Sequence, residues 1–487
     1  MGGRTRLEII DQVNCRFHNL DPGTRRKLRS YLKFFIPWAP HSPKYKAGWW
    51  DGYEYLIDQG SRTYINLLDE ILQPLIDLGW HVELDDKRPA FNFDFPTVDK
   101  NIFSHKTWPE KHKHSGEPIV LMEHQVDALN VYLNNTGCVY TLPTSGGKTL
   151  ITAAMSYFAE PYGRTLVIVP NKGLVVQTED DYKNLDLDVG VYFGDRKELD
   201  KTHTICTWQI LNILNKKSKK HSRDDIERLS QLLDNVNVVI VDEVHQAKAD
   251  ALKKILSGPM AHVPIRWGLT GTLPKDKYDR AIIKAVIGPE VGTIKPKELQ
   301  DKGILSNCDI SIFQLEDPFE FKNYHDEMKY LIEDEKRLEW IAKFIKATSM
   351  DGNTLVLVNK IKTGEELEKL IDGSVFISGR MKVKDRRDHY DEVHELDDKP
   401  MIATYGVAAV GINVPRIFNL ILVEPGKSFI RVVQSIGRSL RVAKDKDHAR
   451  IFDITSTCKY SKRHLAERKK YYKEMEYPYT IDKVKWR

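Results

Sequence analysis

Hydrophobic and polar positions form a repeating pattern over most of the chain. From about residue 119 to 300, short runs rich in valine and isoleucine alternate with stretches of helical periodicity; the runs include "GCVYTL", "RTLVIVP", "HTICTW", "VNVVIVDE" and "RWGLTG". Such runs are typical of parallel strands that are buried on both faces of a sheet. The same alternation returns from about 303 to 455, in "NTLVLVN", "PMIATYG", "FNLILVE" and "ARIFDIT". The pattern therefore predicts two α/β domains in tandem.

The regions on either side have a different pattern. The first part of the chain mixes short strands, such as "RLEII" and "YEYLID", with the helical stretches "PGTRRKLRSYLKFF" and "INLLDEILQPLIDLGW". The polar, proline-containing stretch "HKTWPEKHKHSGEP" that follows is typical of a linker. We therefore expect a small α+β domain with its linker at 1–110, α/β domains at 111–302 and 303–455, and a tail at 456–487.

The tail is basic and rich in tyrosine. Lys469, Lys470, Tyr471 and Tyr472 combine positive charge with aromatic faces, a combination that suits contact with nucleic acid. A helix packed on the second α/β domain explains the same pattern, and the sequence leaves both interpretations open.

Composition restricts the class of protein. The chain has 487 residues, of which 41% are hydrophobic and 29% charged, so it can form several folded cores. Its net charge of +5 does not by itself identify a polyanionic partner. The sequence lacks a run of about 18 apolar residues and a secretory signal, so we expect no membrane partner and a cytoplasmic location. Five scattered cysteines without a CxxC spacing predict reduced thiols rather than a zinc site.

The stretch "YTLPTSGGKTLITAA" is either a phosphate-binding loop or a tight turn between a strand and a helix. Glycines let consecutive backbone N–H groups turn toward an anion, and the start of a helix adds partial positive charge. In that interpretation Lys148 reaches the phosphates of a nucleotide and the Thr149 hydroxyl binds Mg²⁺. Leu142 stands where the usual pattern GxxxxGK[ST] has its first glycine, so the stretch alone does not decide between the two.

A pair of carboxylates follows a strongly apolar strand in "VNVVIVDEVHQA". The carboxyl end of a buried parallel strand is where such sheets bind ligands. Asp242 is therefore expected to hold Mg²⁺ through water, and Glu243 to polarise the attacking water. An acidic cap on a helix is the structural alternative.

Four motifs, "PTSGGKT", "DEVH", "GLTGTLP" and "QSIGRSLR", occur in this order and resemble motifs I, II, III and VI of superfamily 2 helicases and translocases. The resemblance covers residues 119 to about 455. It implies two RecA-like domains with ATP between them, and ATP and Mg²⁺ as cofactors. Gln125 in "LMEHQVDAL" resembles the glutamine that recognises adenine in this family. The motif I residues that the resemblance assigns to ATP are Pro143, Thr144, Ser145, Gly146, Gly147, Lys148 and Thr149.

The resemblance also implies a path for nucleic acid. "VPNKGLVVQ" and "CTWQ" resemble contacting motifs of the first domain, and "LVNK" and "ATYGVAAVGINVP" resemble those of the second. The expected contacts are Asn171, Lys172, Thr207, Gln209, Lys360, Thr404 and Gly406. The residues expected to couple this path to ATP are His245, Thr270, Thr272, Gly411 and Asn413. His245 is expected to bond a residue of the second domain such as Gln434, and a buried histidine with satisfied hydrogen bonds is the alternative.

Arg438 and Arg441 in "QSIGRSLR" lie three residues apart, so both fall on one face of a helix. The resemblance makes them arginine fingers, which together with Gln434 would contribute to ATP hydrolysis. A basic surface helix is the alternative.

Near the N-terminus, "KYKAGWWDGYEYLID" resembles a segment in the small N-terminal domain of the phage UvsW group of branch-migration helicases. The resemblance implies DNA contacts by Lys44, Lys46 and Trp50. The adjacent Trp49 and Trp50 can equally be core residues of the small domain.

The expected function is that of an ATP-dependent DNA helicase or translocase that remodels forked or branched DNA. We expect it to act as a monomer, to use no small-molecule substrate other than ATP, and to work in the host cytoplasm if it is a phage protein. An RNA helicase, or the motor subunit of a restriction-type assembly, remains an alternative. A non-enzymatic DNA-binding module would have no use for Glu243 together with Arg438.

Overall fold

The computed structural model describes residues 2–487 except 111–113, 219–222, 249, 382, 412–415, 427, 429–431, 433–434, 438–439 and 441–445. The chain divides into two compact units. The first comprises Met1–Thr107, Pro118–Thr141 and Thr149–Thr293, and the second comprises Trp108–Glu117, Leu142–Lys148 and Ile294–Arg487.

The small N-terminal domain contains a four-stranded sheet in the order β5-β2-β1-β6 and a two-stranded pair, β3-β4. Strand β1 runs parallel to β6 and antiparallel to β2. Asp21 begins the first helix by accepting hydrogen bonds from the backbone N–H groups of Gly23 and Thr24. The strands are β1 Arg4–Ile9, β2 Asn14–Phe17, β3 Lys33–Phe35, β4 Tyr53–Tyr55, β5 Arg62–Tyr64 and β6 His81–Asp86. The helices are α1 Pro22–Tyr31, α2 Pro43–Lys46 and α3 Leu72–Asp77, with 3₁₀ turns at Ala39–His41 and Ile65–Glu70.

The first α/β domain is built on an eight-stranded sheet in the order β10-β9-β11-β8-β12-β13-β7-β14. Its strand pairs are parallel except for β9 with β10. The strands are β7 Gly137–Thr141, β8 Arg164–Val169, β9 Val189–Phe193, β10 Arg196–Lys197, β11 His203–Thr207, β12 Val236–Asp242, β13 Ile265–Thr270 and β14 Glu290–Thr293. The helices are α4 Glu123–Leu133, α5 Lys148–Ala159, α6 Lys172–Asn184, α7 Trp208–Ser218, α8 Arg223–Leu233, α9 Asp250–Leu256 and α10 Lys277–Val286, with 3₁₀ turns at Glu160–Tyr162 and Val244–Lys248.

The second α/β domain has a seven-stranded sheet in the order β17-β18-β16-β19-β20-β15-β21, and its strand pairs are parallel. The strands are β15 Asn307–Leu315, β16 Thr354–Val358, β17 Val375–Ile377, β18 Pro400–Thr404, β19 Asn419–Val423, β20 His448–Ser456 and β21 Tyr479–Val484. The helices are α11 Pro296–Asp301, α12 Tyr324–Glu333, α13 Glu335–Ser349, α14 Ile361–Leu370, α15 Val383–Glu395, α16 Tyr405–Gly411 and α17 Lys459–Glu474. The predicted fold class, two α/β domains with parallel sheets after a small α+β domain, is confirmed.

The N-terminal domain packs against the first α/β domain within the first unit. The ring of Phe34 on β3 lies 6.0 Å, centroid to centroid, from the ring of Tyr278 on α10. The Asn14 side-chain amide donates to the Ser257 carbonyl at 3.0 Å, and Lys284 forms an ion pair of 2.6 Å with Asp69. The sequence pattern predicts a linker after this domain. The domain is nevertheless not an independent body, because its side chains bond to and pack against those of the first α/β domain.

The last part of the chain joins the second α/β domain. Strand β21 pairs with β15 at the edge of the sheet, and α17 buries Tyr471 and Tyr472. These two rings consequently offer no stacking faces to a ligand, and the alternative of a helix packed on the domain describes the tail.

A buried ion pair attaches α17 to the sheet. The Arg468 guanidinium donates two hydrogen bonds to the Asp453 carboxylate, at 2.8 and 2.9 Å, and a third to the Gly426 carbonyl at 2.7 Å. The Tyr472 hydroxyl donates to the same carboxylate at 2.8 Å. Arg468 and Asp453 are both fully buried, so each provides the opposite charge that the other needs.

All five cysteines are free and buried. Burial raises the pKa of the Cys15, Cys138 and Cys308 thiols to about 12. Thiols with such pKa values are protonated and unreactive at neutral pH, as the prediction of reduced cysteines requires.

Within the described ranges, the helices are all too short or too polar to cross a membrane.

We expect Arg468→Ala to lower the free energy of unfolding of the second α/β domain by about 3–5 kcal/mol, because it leaves the Asp453 carboxylate buried without its cation. Urea unfolding followed by circular dichroism measures this change. The matched control is Lys470→Ala on the same helix, whose ion pair with Glu467 lies in solvent and whose loss should leave the transition unchanged. Equal stability of the two variants would contradict the structural role of the buried pair.

Candidate functional site

Three neighbouring strands of the first α/β domain end at one edge of the sheet. Asp242 at the end of β12 pairs with Leu269 on β13, and Thr270 at the end of β13 pairs with Thr141 at the end of β7. The first three motifs of the sequence lie at the ends of these strands or directly after them. This carboxyl edge is where open α/β sheets bind their ligands.

The loop after β7 contains two residues with positive φ angles. Ser145 and Gly147 have φ angles of +70° and +82°, and the Gly146 N–H donates to the Pro143 carbonyl at 3.0 Å. Lys148 begins α5, a helix of 12 residues. Positive φ angles turn successive N–H groups to one side of the loop, and the helix start adds partial positive charge. These angles are compatible with the phosphate-loop interpretation, which stays a prediction.

Glu243 is held in a strained and buried position directly after β12. Its φ angle is +52°, in the left-handed region, which costs about 1–3 kcal/mol for a residue with a side chain. Glu243, His245, Thr270 and Thr272 are all buried. A buried carboxylate with a strained backbone must be stabilised by its neighbours.

The hydroxyl of Thr270 is one of these neighbours. Thr270 Oγ1 lies 3.1 Å from Glu243 Oε2 and 2.9 Å from His245 Nδ1. The same imidazole nitrogen lies 3.3 Å from the Glu243 carboxylate. The Thr272 N–H donates to Thr270 Oγ1 at 3.3 Å. The Thr270 hydroxyl therefore joins the "DEVH" and "GLTGTLP" motifs.

The turn after Glu243 is also joined to α7. The Gln246 N–H donates to the Glu243 carbonyl at 2.9 Å, and the indole N–H of Trp208 donates to Gln246 Oε1 at 3.1 Å. Sequence reasoning missed Trp208 and Gln246, although each is adjacent to a recognised motif residue. Buried tryptophan N–H groups usually find a hydrogen-bond partner. The tryptophan in "CTWQ" was therefore the signal in the sequence that could have indicated this bond.

The predicted nucleic-acid residues of the first domain lie together at the ends of β8 and β11. These strands are neighbours, with Thr207 paired to Val169. The Asn171 side chain caps α6 by accepting from the Leu174 N–H at 3.1 Å, and Lys172 is the first residue of that helix. The Gln209 amide donates to the Pro170 carbonyl at 3.1 Å, whereas Thr207 is buried.

In the second unit, the residues predicted to contact nucleic acid lie at the ends of β16 and β18, whose last residues pair as Val358 with Thr404. Lys360 precedes α14 and is exposed. Gly406 and Gly411 belong to α16. Asn413, Gln434, Arg438 and Arg441 lie outside the described residues, and their roles stay predictions.

Gln125 lies in the first turn of α4, where its side-chain oxygen accepts from the Met122 N–H at 2.8 Å. The residue is buried, and its amide fixes the start of the helix.

The tryptophans near the N-terminus differ in environment. Lys44 and Lys46 on α2 are exposed. Trp50 is partly buried, with its indole N–H donating to the Tyr53 carbonyl at 2.9 Å. Trp49 is 84% exposed, so of the two it is the one available to a ligand.

The donor atoms at the edge of β7, β12 and β13 suit Mg²⁺ bound together with phosphate. Thr149, Asp242 and Glu243 offer hydroxyl and carboxylate oxygens, which this ion prefers. Among the residues that the structure describes, no group of three or more His, Cys, Asp and Glu side chains forms a metal site. A site completed by phosphate and water needs only one or two protein carboxylates.

Comparisons with known proteins agree with this geometry. Residues 118–275 match the family model "Type III restriction enzyme, res subunit", and residues 336–443 match "Helicase conserved C-terminal domain". The chain is 26% identical over 478 residues to "ATP-dependent DNA helicase uvsW" of Enterobacteria phage T4, covering 93% of this chain and 90% of that protein.

Two further likenesses extend over the α/β domains. "DNA 3'-5' helicase XPB" of Kineococcus radiotolerans is 25% identical over 375 residues, which cover 74% of this chain and 64% of that protein. A solved structure, "ATP-dependent Type ISP restriction-modification enzyme LlaBIII bound to DNA", matches with a TM-score of 0.56 at 12% identity, covering 76% of this chain and 32% of that one. At this identity the structural likeness concerns the fold alone.

The order of the motifs, the two family models and the similarity to the phage protein over nearly the whole chain lead to one conclusion: the chain belongs to the superfamily 2 helicases, enzymes that use ATP to act on nucleic acid.

Proposed function

We propose that this helicase uses ATP hydrolysis to move on DNA and to remodel forked or branched DNA. The observation that carries the ATPase part is the buried Glu243 carboxylate, held by Thr270 and His245 at the carboxyl ends of β12 and β13. The preference for forks and branches rests on the resemblance of the N-terminal segment to the phage branch-migration helicases. The similarity to the phage DNA helicase covers 93% of the chain and so is not limited to the two α/β domains.

In this proposal the loop from Pro143 to Gly147 binds the phosphates through its N–H groups, and Lys148 neutralises them. Thr149 and Asp242 would hold Mg²⁺, which when bound neutralises charge on the phosphates. Glu243 orients the attacking water and accepts its proton. Thr270 fixes the Glu243 carboxylate in one rotamer, so that the carboxylate contacts the attacking water in one geometry.

Coupling between ATP and nucleic acid is proposed to run through the turn after Glu243. A change at the carboxylate moves Gln246, and Gln246 is bonded to Trp208 at the start of α7. The neighbouring Gln209 is bonded to the segment that contains Asn171 and Lys172. Thr272, Gly411, Asn413 and the second-domain residues Gln434, Arg438 and Arg441 complete the proposed relay by family resemblance.

Binding of DNA is proposed to be mainly to phosphates and therefore tolerant of sequence and sensitive to salt. We propose a monomer that acts in the cytoplasm, an environment in which the five cysteines remain reduced. The motor of a restriction-type assembly is a second candidate, favoured by the family model matched at residues 118–275. Purification together with a nuclease or methylase would support that candidate.

A substrate panel tests the proposed function. We expect ATPase and strand-separation rates to be higher with forks and four-way DNA junctions than with linear duplexes, single-stranded DNA or RNA of equal length. A preference for RNA would identify an RNA helicase instead. Stimulation by linear duplex without any strand separation would favour a translocating motor of the restriction type.

The catalytic assignment predicts different failures for two variants. Lys148→Ala should lose both nucleotide binding and turnover, because the phosphates lose their cation. Glu243→Gln should retain ATP binding but lose turnover by about 100-fold or more, because the amide cannot accept the proton. Equilibrium binding of a fluorescent ATP analogue and single-turnover hydrolysis separate the two effects. Near-normal turnover in either variant refutes its assignment.

The link between motifs predicts a graded effect at Thr270. Thr270→Val keeps the shape of the side chain but removes the hydroxyl, and we expect turnover to fall by about 10- to 100-fold with ATP affinity preserved. Thr270→Ser restores the hydroxyl and should recover most of the rate. If the valine and serine variants hydrolyse ATP equally fast, the hydroxyl does not position Glu243.

A further inference from the structure

Several large aromatic side chains of the N-terminal domain are exposed to solvent. We name them the aromatic patch, and they are Tyr31, Phe35, Trp38, Tyr45 and Trp49. Trp49 and Trp38 are the most exposed, at 84% and 62%. Rings of this size are normally buried in a domain core or in an interface, so exposure of this many within one short segment requires an explanation.

The two-stranded pair β3-β4 explains how part of the patch is presented. Side chains alternate between the two faces of a strand. Phe34 is on the face that packs against Tyr278 of the first α/β domain. Phe35 and its cross-strand partner Tyr53 are on the opposite face, with their rings 5.4 Å apart. The first α/β domain thus covers one face of the strand pair, and the other face is accessible.

Trp38 and Trp49 are placed by the segment between these strands. Trp50 is not part of the patch but supports it, because its indole N–H is bonded to the Tyr53 carbonyl and its ring lies 5.4 Å from the ring of Trp38. The backbone N–H of Trp49 donates to the Lys44 carbonyl at 2.9 Å. The backbone of Trp49 is therefore fixed while its ring extends into solvent.

Charge around the patch is mainly positive, although the exposed Asp51 and Glu54 border it. Residues 22–50 contain seven lysines and arginines and no aspartate or glutamate. Lys33, Lys44 and Lys46 are exposed, and the Arg29 guanidinium lies 4.4 Å from the centroid of the Tyr55 ring. A surface that combines exposed rings with mainly positive charge complements a strand with anionic phosphates and flat bases.

We propose that the aromatic patch binds unpaired bases by stacking, with Trp49 and Trp38 as the main stacking rings and Lys33, Lys44 and Lys46 on the phosphates. The ligand class is single-stranded nucleic acid, including the unpaired arm of a fork. This inference builds on the proposed function and adds to it a base-binding site outside the two α/β domains. Stacking is tolerant of sequence, because every base has a flat face.

Two oligonucleotides separate stacking from charge. One is a thymidine 20-mer, and the other is an abasic 20-mer with the same phosphates but without bases. Dissociation constants of the full-length protein are measured for both by fluorescence anisotropy, without ATP. We expect Trp49→Ala to weaken binding of the thymidine oligomer by about 5- to 100-fold and to leave binding of the abasic oligomer unchanged.

Other variants serve as controls. Trp49→Phe retains a ring and should keep most of the base-dependent affinity. Tyr157→Ala removes an exposed ring from α5 of the first α/β domain and should affect neither oligomer. The double variant Lys44→Ala, Lys46→Ala should weaken binding of both oligomers and reduce the salt dependence by about 0.7 per lost phosphate contact. A circular dichroism spectrum and a thermal unfolding midpoint equal to those of the wild-type protein show that the fold is intact in each variant.

The outcomes distinguish this inference from the proposed function. If the wild-type protein binds neither oligomer and nucleic acid does not stimulate its ATPase, the proposed function fails and the inference with it. If the wild-type protein binds and is stimulated but Trp49→Ala and Trp38→Ala bind both oligomers as tightly as it does, only the stacking site is refuted. That result would make the patch a surface for a protein partner. An equal loss of affinity for both oligomers would also refute stacking.

Discussion

The geometry of the candidate site in the first α/β domain depends on how the buried Glu243 carboxylate is stabilised at the end of strand β12. Glu243 has a left-handed backbone and almost no contact with solvent, an arrangement that is unstable without hydrogen-bond donors. Thr270 on the adjacent strand and His245 in the following turn supply the nearby polar groups. The parallel register of β12 and β13 brings these residues together, so the geometry of the site follows directly from the sheet.

The hydrogen bonds around Glu243 extend beyond the carboxylate to a neighbouring helix. Gln246 is in the turn that Glu243 begins, and its side chain fixes Trp208 at the start of α7. The N-terminal domain is attached to the same unit by the Phe34–Tyr278 contact and by the Lys284–Asp69 ion pair. Proposed contacts with DNA at the aromatic patch and at the ends of β8 and β11 therefore belong to one compact unit.

Local patterns predicted the strands and the motif loops well. Buried parallel strands have a strong apolar signature, and the loop before Lys148 and the pair Asp242–Glu243 follow directly from such strands. The sequence did not predict that the helical pattern after Pro22 ends at Tyr31 and that Lys33–Phe35 forms a strand. The contact that favours that strand joins Phe34 to Tyr278, which lies far away along the chain. Likewise, tertiary packing distinguishes the exposed Trp49 from the partly buried Trp50. Tyr479–Val484 forms a strand because it pairs with β15, which lies far away along the chain.

The central claim is that hydrogen bonds from the Glu243 turn to α7 couple nucleic acid to hydrolysis. The most direct measurement is the ratio of DNA-stimulated to basal ATPase in Trp208→Phe, in Gln246→Leu and in the double variant. We expect each single variant to keep the basal rate and to lose most of the stimulation, and the double variant to be no worse than either, because both remove the same bond. Full stimulation in Trp208→Phe, or additive losses in the double variant, would contradict the account.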